Sequence, residues 1–328
     1  MSRQRILVTG AGGFIGSFLC GRLSEAGYDL RALAFPGENV KHIEALGAEI
    51  RTGDLTKPGS IKGIADGVNA VYHLAGRVID WGPRSLFYAS IFDATKNLLA
   101  EISGKVERFV YVSSFCACGM GRHFKGMKED DPCIKTGIPY GDAKLDTEGL
   151  VKACHKEKGL TFTIVRPANV TGPGSIWVRD VVQRLRKSSV PFIDHGRHSA
   201  SLLYVDNLVD GLLLAGTKDA ARNNTYFFRD DWDVTWARYL TDLGKIAGKG
   251  PRFSVPFRLA WMIAGITEKL YAPFNAQPPA TRAAVSILGR DLDVDTTKAK
   301  NELGWKTRIP YEDAMKAIEA WVRAALSR

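Results

Sequence analysis

Tyr140 and Lys144 stand four residues apart in Pro139-Tyr140-Gly141-Asp142-Ala143-Lys144. On a helix that spacing places the phenol and the ammonium on one face. An ammonium beside a phenol favours the phenolate and draws the tyrosine toward a working range, and a helix N-terminus pushes the same way. Such a tyrosine is suited to give or take the proton on a substrate oxygen while a hydride moves at the carbon. Ser114, which ends the strand-like run Phe109 to Ser113, can hydrogen-bond the same oxygen. Tyr-x-x-x-Lys alone is a common surface pattern. Its weight here comes from order: a glycine loop, a serine at a strand end, then the tyrosine helix.

That glycine loop is Thr9-Gly10-Ala11-Gly12-Gly13-Phe14-Ile15-Gly16, set between the first strand-like and the first helical run. Gly10 permits the tight turn, Gly13 lets backbone approach a pyrophosphate, and Gly16 lets the helix pack on the strand. The helix start then offers unpaired N–H groups to phosphates, so a dinucleotide is expected. An acid after the second strand would suit NAD and an arginine NADP. Ala34-Phe35-Pro36 is neither, and Glu38 and Lys41 pull in opposite directions, so the choice stays open. Asp54, in Gly53-Asp54-Leu55, reads equally as a cap for a helix Pro58 to Ala65 or as a ligand contact.

The elements that must hold these residues alternate. Ile6 to Val8, Leu30 to Ala34, Ala48 to Arg51, Ala70 to Leu74, Phe109 to Ser113 and Phe162 to Val165 are strand-like. Between them lie helical patterns at Phe14 to Ala26, Ser85 to Ile102 and Tyr140 to Lys158. This rhythm predicts an α/β doubly wound parallel sheet of Rossmann type, with ligands beyond the carboxyl ends of its strands. After Pro167 the rhythm breaks at Gly172-Pro173-Gly174, and helices dominate, among them Ile176 to Lys187 and Tyr311 to Leu326. We expect a cofactor domain from 1–171 with about 201–228, the latter returning to the main sheet. A smaller, mostly helical substrate lobe is expected from about 172–200 with 229–328.

The 328 residues carry Lys+Arg 45 against Asp+Glu 35, a net charge of +10 scattered along the chain, which argues against nucleic-acid binding. Hydrophobic residues at 45% exclude wholesale disorder. No apolar run reaches the ~20 residues of a membrane span. Five cysteines show no metal-ligand spacing, so no metal and a reduced, cytoplasmic setting are expected. Cys116, on an apolar strand end, reads as packing.

As a set, these motifs resemble the extended short-chain dehydrogenase/reductases, the NAD-dependent epimerase/dehydratase family. The resemblance rests on the glycine loop, Gly53-Asp54-Leu55, His73-Leu74-Ala75-Gly76, Tyr111-Val112-Ser113-Ser114, Tyr140-x-x-x-Lys144 and Arg166-Pro167. It continues through Tyr204-Val205-Asp206-Asn207 and Lys298 to Trp305, nearly the whole chain in order. It implies a Ser114/Tyr140/Lys144 catalytic set, with Lys144 also on the nicotinamide ribose and Asp54 on the adenine. Cofactor contacts are implied at Gly10, Gly13, Phe14, Ile15, Gly16, Asp54, Leu55, Tyr140, Lys144 and Pro167. Fold analogy adds a homodimer. Two departures stand out: Ile91 occupies the place of a usual asparagine, and Ala117-Cys118-Gly119 replaces Val-Tyr-Gly.

Within the family, dehydration is disfavoured because Ser114 is followed by Phe115-Cys116-Ala117 rather than an Asp-Glu pair. Sugar-nucleotide 4-epimerisation loses weight because Ser199 to Leu203 lacks the usual arginine-aspartate, though Arg179, Arg184 or Arg197 can substitute. The chain is most similar to 3β-hydroxysteroid dehydrogenase-like ketone reductases, which implies an NAD(P)-dependent interconversion of ketone and alcohol on an apolar or steroid-like substrate. The alternatives are an epimerase with tightly bound NAD and a dinucleotide-sensing regulator. The stretch Val255 to Ala264 with Leu270, Tyr271 and Phe274 is suited to line an apolar pocket, to touch a membrane peripherally, or to pack the lobe's core.

Overall fold

The computed structural model describes residues 3–187, 190–274 and 276–325. Seven strands form the central sheet: β1 (Arg5–Thr9), β2 (Asp29–Ala34), β3 (Glu49–Thr52), β4 (Ala70–His73), β5 (Arg108–Val112), β6 (Phe162–Pro167) and β7 (Asn224–Phe228). They pair in the order β3-β2-β1-β4-β5-β6-β7, all parallel. The chain runs outward from β1 to β3 and returns to β4 on the other side of β1. That reversal opens a crevice beyond the carboxyl ends of β1 and β4.

Strands covered on both faces read as continuous apolar runs, and β5 is buried at all its positions. Successive side chains still alternate between layers. Ile6 and Val8 pack with Leu19 and Leu23 of α1 (Phe14–Glu25) on one side. Leu7 packs on the other side with Leu98 and Leu99 of α2 (Ala94–Ile102) and Val151 of α3 (Pro139–Lys158). The helix expected over Ser85 to Ile102 comes as a turn at Arg84–Phe87, a wider π turn at Tyr88–Asp93, and then α2. Thr95 Oγ1 donates to the Ile91 carbonyl at 2.6 Å, a side-chain bond competing with the helical ladder where it widens.

A separate core cluster is built on α4 (Ile176–Lys187), α6 (Trp236–Ala247) and α9 (Tyr311–Ala325), packed through Val182, Leu185, Trp236, Leu240, Ile318 and Val322. Between α6 and α9 lie α7 (Phe257–Tyr271) and α8 (Arg282–Leu288). Leu326, the expected end of the last helix, lies outside the described residues. The expected return of 201–228 to the main sheet holds only for β7. Leu202–Tyr204 pairs instead with Asn169–Thr171, a short edge the chain offers after leaving β6 at Pro167. The intervening α5 (Val205–Thr217) packs on α1.

The Tyr204 to Asn207 motif acts here as a knot. Asn207 Oδ1 accepts the Arg308 and Ile309 N–H groups at 3.1 Å, and its carbonyl accepts Trp305 Nε1 at 2.8 Å. Its amide donates to Asp230 at 2.8 Å. Burial pushes the Asp230 carboxyl up to about 7 although Tyr204 N–H, Asn207 and Thr307 all donate to it. No helix among the described residues is long and apolar enough to cross a membrane.

Candidate active site

The crevice floor is backbone. Gly10 has φ +69°, and a Cβ there would stand 2.9 Å from Ala75 N; one on Gly16 would stand 2.0 Å from the Gly10 carbonyl oxygen. Gly13 lies directly before α1, which begins without a side-chain cap, so its first-turn N–H groups stay available to an anion. Phe14 and Ile15 open that helix. This cradle fits a dinucleotide pyrophosphate, because side chains are excluded where a phosphate would sit against backbone.

At the rim of the cradle, the Glu38 carboxylate lies against Gly12, 2.6 Å from where a Cβ would stand, and accepts the Phe35 N–H at 2.9 Å. Asp54 is not the helix cap that its position suggested. Its carboxylate accepts the Thr56 N–H at 2.9 Å and the Thr56 hydroxyl at 2.7 Å, bonds that hold it below the ordinary range. The segment beyond is a single 3-10 turn, Pro58–Ile61, capped by no side chain. Leu55 is buried against the β1–β4 side of the core, and Pro167 ends β6 at the same edge of the sheet.

Ser114 follows β5 and opens a one-turn helix, Phe115–Cys118, with its Oγ accepting the Cys116 N–H at 3.2 Å. Tyr140 is the second residue of α3, after Pro139 at the first helical position. A Cβ on Gly141 would stand 2.6 Å from the Cys116 carbonyl oxygen, so glycine there lets α3 seat directly on the Ser114 turn. Burial pushes the Tyr140 phenol above its ordinary value, while the neighbouring Ser114 hydroxyl pulls it down. Burial likewise raises the Cys116 thiol to about 11, consistent with packing.

Lys144 lies one turn along the same face, but its ammonium is not spent on the phenol. Nζ donates to the Val112 carbonyl at 2.8 Å and sits 5.0 Å from the centre of the Tyr111 ring. The expected depression of the tyrosine by the lysine is therefore absent in this arrangement, where desolvation dominates. Burial lowers Lys144 to about 8, with Glu148 opposing the shift.

Glu148 is a residue the sequence reading missed. It stands one further turn along α3, accepts the Ser113 hydroxyl at 2.6 Å, and pairs with the buried Arg166 at 2.7 Å. The Tyr-Lys-Glu repeat at four-residue spacing was its available signal. His73 stands out in the sequence only as part of its motif. Buried between the Phe109 and Tyr111 rings, it bonds Thr9 Oγ1 through Nδ1 at 2.7 Å and Thr95 Oγ1 through Nε2 at 2.9 Å. Ala75 N–H donates to Thr9 Oγ1 at 3.2 Å, and Thr95 donates to the Ile91 carbonyl. The donors run consistently with a neutral ring protonated on Nε2, and burial lowers His73 to about 3.

Ile91 therefore takes part through its carbonyl. Its side chain is packed with Phe87 and Ala143, and a Cβ on Gly76 would meet both Ile91 Cγ1 at 3.7 Å and Lys144 Nζ at 3.8 Å. The wall beside the ammonium is apolar where an asparagine was expected.

Residues 6–227, spanning β1 to β7, match the NAD dependent epimerase/dehydratase family. The chain belongs to that family. It binds a nicotinamide dinucleotide and is an oxidoreductase of the extended short-chain type. It is 28% identical over 321 residues, 96% of each chain, to the 4-hydroxy-2-methyl-3-oxo-4-farnesyl-3,4-dihydroquinoline-1-oxide ketoreductase of Stigmatella aurantiaca. It is 26% identical to the 2-alkyl-3-oxoalkanoate reductase of Shewanella oneidensis, covering 95% of this chain and 85% of that one. Among solved structures, the UDP-glucose 4-epimerase of Thermotoga maritima superposes with TM-score 0.80 at 24% identity, covering 98% and 100% of the two chains, a likeness of fold.

Proposed function

We propose that this protein reduces a ketone to a secondary alcohol, and reverses the step, on an apolar, lipid-like substrate, with Tyr140 moving the proton. The observation that carries the reading is the meeting of Ser114, Tyr140 and Lys144 at the carboxyl end of β5, beside the glycine cradle. The ketone-reducing relatives act on farnesyl- and alkyl-bearing substrates by name, which supports the apolar class. Residues 1–171 with about 201–228 hold the cofactor in this reading, and the remainder closes over the substrate.

When bound, the nicotinamide supplies or accepts the hydride. Ser114 Oγ holds the substrate oxygen, and the Tyr140 phenol donates its proton to that oxygen as the carbonyl becomes an alkoxide. Burial keeps the phenol protonated at neutral pH, which suits the reducing direction. Lys144, held by the Val112 carbonyl and with the Glu148 carboxylate favouring its charge, would reach the ribose. Gly10, Gly13, Phe14, Ile15 and Gly16 receive the pyrophosphate, with Asp54, Leu55 and Pro167 along the rest of the cofactor. Glu38 at the cradle rim would repel a 2′-phosphate and accept ribose hydroxyls, so NAD is the cofactor of this reading.

The deciding experiment follows NADH and NADPH oxidation with a long-chain 2-alkyl-3-oxo ester, alongside mass spectrometry of nucleotide released on denaturing dialysed protein. NADH-linked reduction, with an exchangeable cofactor, is the expected result. Stoichiometric retained NAD with no ketone turnover would overturn the reading in favour of epimerisation.

A further inference from the structure

α7 carries two apolar faces. At 100° per residue, Phe257, Ala260, Ala264 and Glu268 fall on one side, and all four are buried. Leu259, Met262, Ile263, Ile266 and Leu270 fall on the opposite side, and all five are exposed, Met262 by 54%, Ile266 by 51% and Leu270 by 61%. Phe274, just past the helix, is 79% exposed, and Phe253, just before it, 54%. Thus most of the large exposed apolar side chains of the described residues belong to one segment. Core packing explains only the buried face. An apolar face of this extent is kept in water only at a cost that a large partner removes.

The charges around the face say which partner. Arg258 and Lys269 lie on the same flank of the stripe, exposed, and neither has an acidic partner among the described residues. Arg252 is exposed beside Phe253. The only acid of α7, Glu268, is buried and bonded to Arg282 at 2.6 Å, so the helix shows no anion to solvent. Apolar side chains bordered by long cations with apolar stems suit an anionic bilayer, where the stripe enters the acyl boundary and the cations stay at the headgroups.

The position of α7 makes that contact useful. Trp261 on its inner side stands over Gly121, in the loop that follows the Ser114 turn, where a Cβ would be 3.3 Å from the ring. The segment leading to α8 is tied to the loop after Gly76, with Gln277 and Thr281 donating to Asp80 at 2.9 and 2.8 Å. α7 therefore bridges the two loops that border Ser114 and Lys144. We propose that the outer face of α7 docks the enzyme on an anionic lipid surface, so that an apolar substrate passes between bilayer and crevice without crossing water. The purpose rests on the substrate class proposed above; the docking itself is measured without turnover.

The experiment is flotation of the full chain with vesicles of phosphatidylcholine alone or mixed with phosphatidylglycerol, at low and high salt, for the wild type and for Met262→Glu with Ile266→Glu. The wild type is expected to float with the anionic vesicles, less at high salt, and the double variant to lose roughly ten-fold or more of the bound fraction. Turnover of a short, water-soluble ketone should stay unchanged in the double variant, which shows that the fold and the crevice survive. Wild type that stays unbound on anionic vesicles, or a double variant that floats equally well, overturns the proposal. So does a dimer by analytical ultracentrifugation that the double variant converts to monomer, because a second copy would then cover the face. Binding with no ketone turnover by the wild type would instead remove the substrate reading and leave the docking standing.

Discussion

The crevice at the ends of β1, β4 and β5 and the outer face of α7 break opposite rules of globular structure. In the crevice, groups that prefer water are buried and matched: Lys144 with the Val112 carbonyl, Glu148 with Arg166, His73 with two threonines. On α7, side chains that avoid water are exposed and unmatched. Buried polar matching demands fixed geometry, which positioning a small ligand also requires. Exposed apolar area demands only coverage, and marks where something large comes to rest. The difference predicts that substitutions in the crevice act on rate, cofactor affinity or fold stability, each according to the group removed, whereas those on α7 act on location alone.

The sharpest break is Tyr140→Phe. Removing one hydroxyl should lower ketone reduction about 10²- to 10⁴-fold while NADH affinity, read by fluorescence titration, stays near wild type. Unchanged turnover would mean that the matched crevice has another purpose. Next comes Gly16→Ala, whose new methyl would meet the Gly10 carbonyl oxygen at 2.0 Å. The loop or α1 must then shift, and overpacking of this kind costs about 1–3 kcal/mol. NADH affinity should fall at least ten-fold, since the same loop cradles the phosphates. A normal dissociation constant would show that the cradle tolerates the shift.

The two regions were unequally legible from the sequence. The glycine loop and the tyrosine helix were readable because their chemistry is local: a turn that excludes side chains, and two groups one helical turn apart. The sheet was readable for the same reason, from short apolar runs with helices between them. Relations across the fold were not. Nothing near His73 in the chain announces Thr9 or Thr95, which β-pairing and helix packing bring to its two nitrogens. Spacing alone puts the Lys144 ammonium beside the phenol, whereas its acceptor, the Val112 carbonyl, comes from β5, far off in the chain. Of the two readings open for Asp54, the cap presumes a helix that shortens to one turn. For α7, composition revealed an apolar stretch, but periodicity alone does not say which of two apolar faces the core will cover.

A subtler test of the crevice is His73→Phe, which keeps a ring between Phe109 and Tyr111 but leaves Thr9 and Thr95 without the imidazole. Loss of those buried bonds should cost about 1–3 kcal/mol by denaturant unfolding. The variant also changes the pH profile. His73 is lowered from 6.5 to about 3 in the folded chain, so the unfolded chain binds the extra proton in that window. The stability this neutral ring contributes is complete above pH 6.5 and falls away as pH drops toward 3. Stability of the wild type relative to His73→Phe should therefore decrease over that range. A constant difference would show that the ring is already charged when folded, contrary to the donor order through Thr9 and Thr95.

The smallest effect belongs to the other region. Ile263→Ser on the outer face of α7 removes an apolar side chain that is 41% exposed and touches no buried cluster. Surface substitutions away from caps and buried networks usually change stability by within about 0.5 kcal/mol. The melting temperature and the soluble-ketone rate should be unchanged, although the same change at the fully buried Ile164 in β6 would be severe. A clear loss of stability would place Ile263 against a partner in solution, and a second copy of the chain would then be the occupant to look for. A gain in solubility with no loss of stability or rate is the expected outcome, because the outward part of this side chain meets no buried cluster and its apolar surface is left for what lies outside the fold.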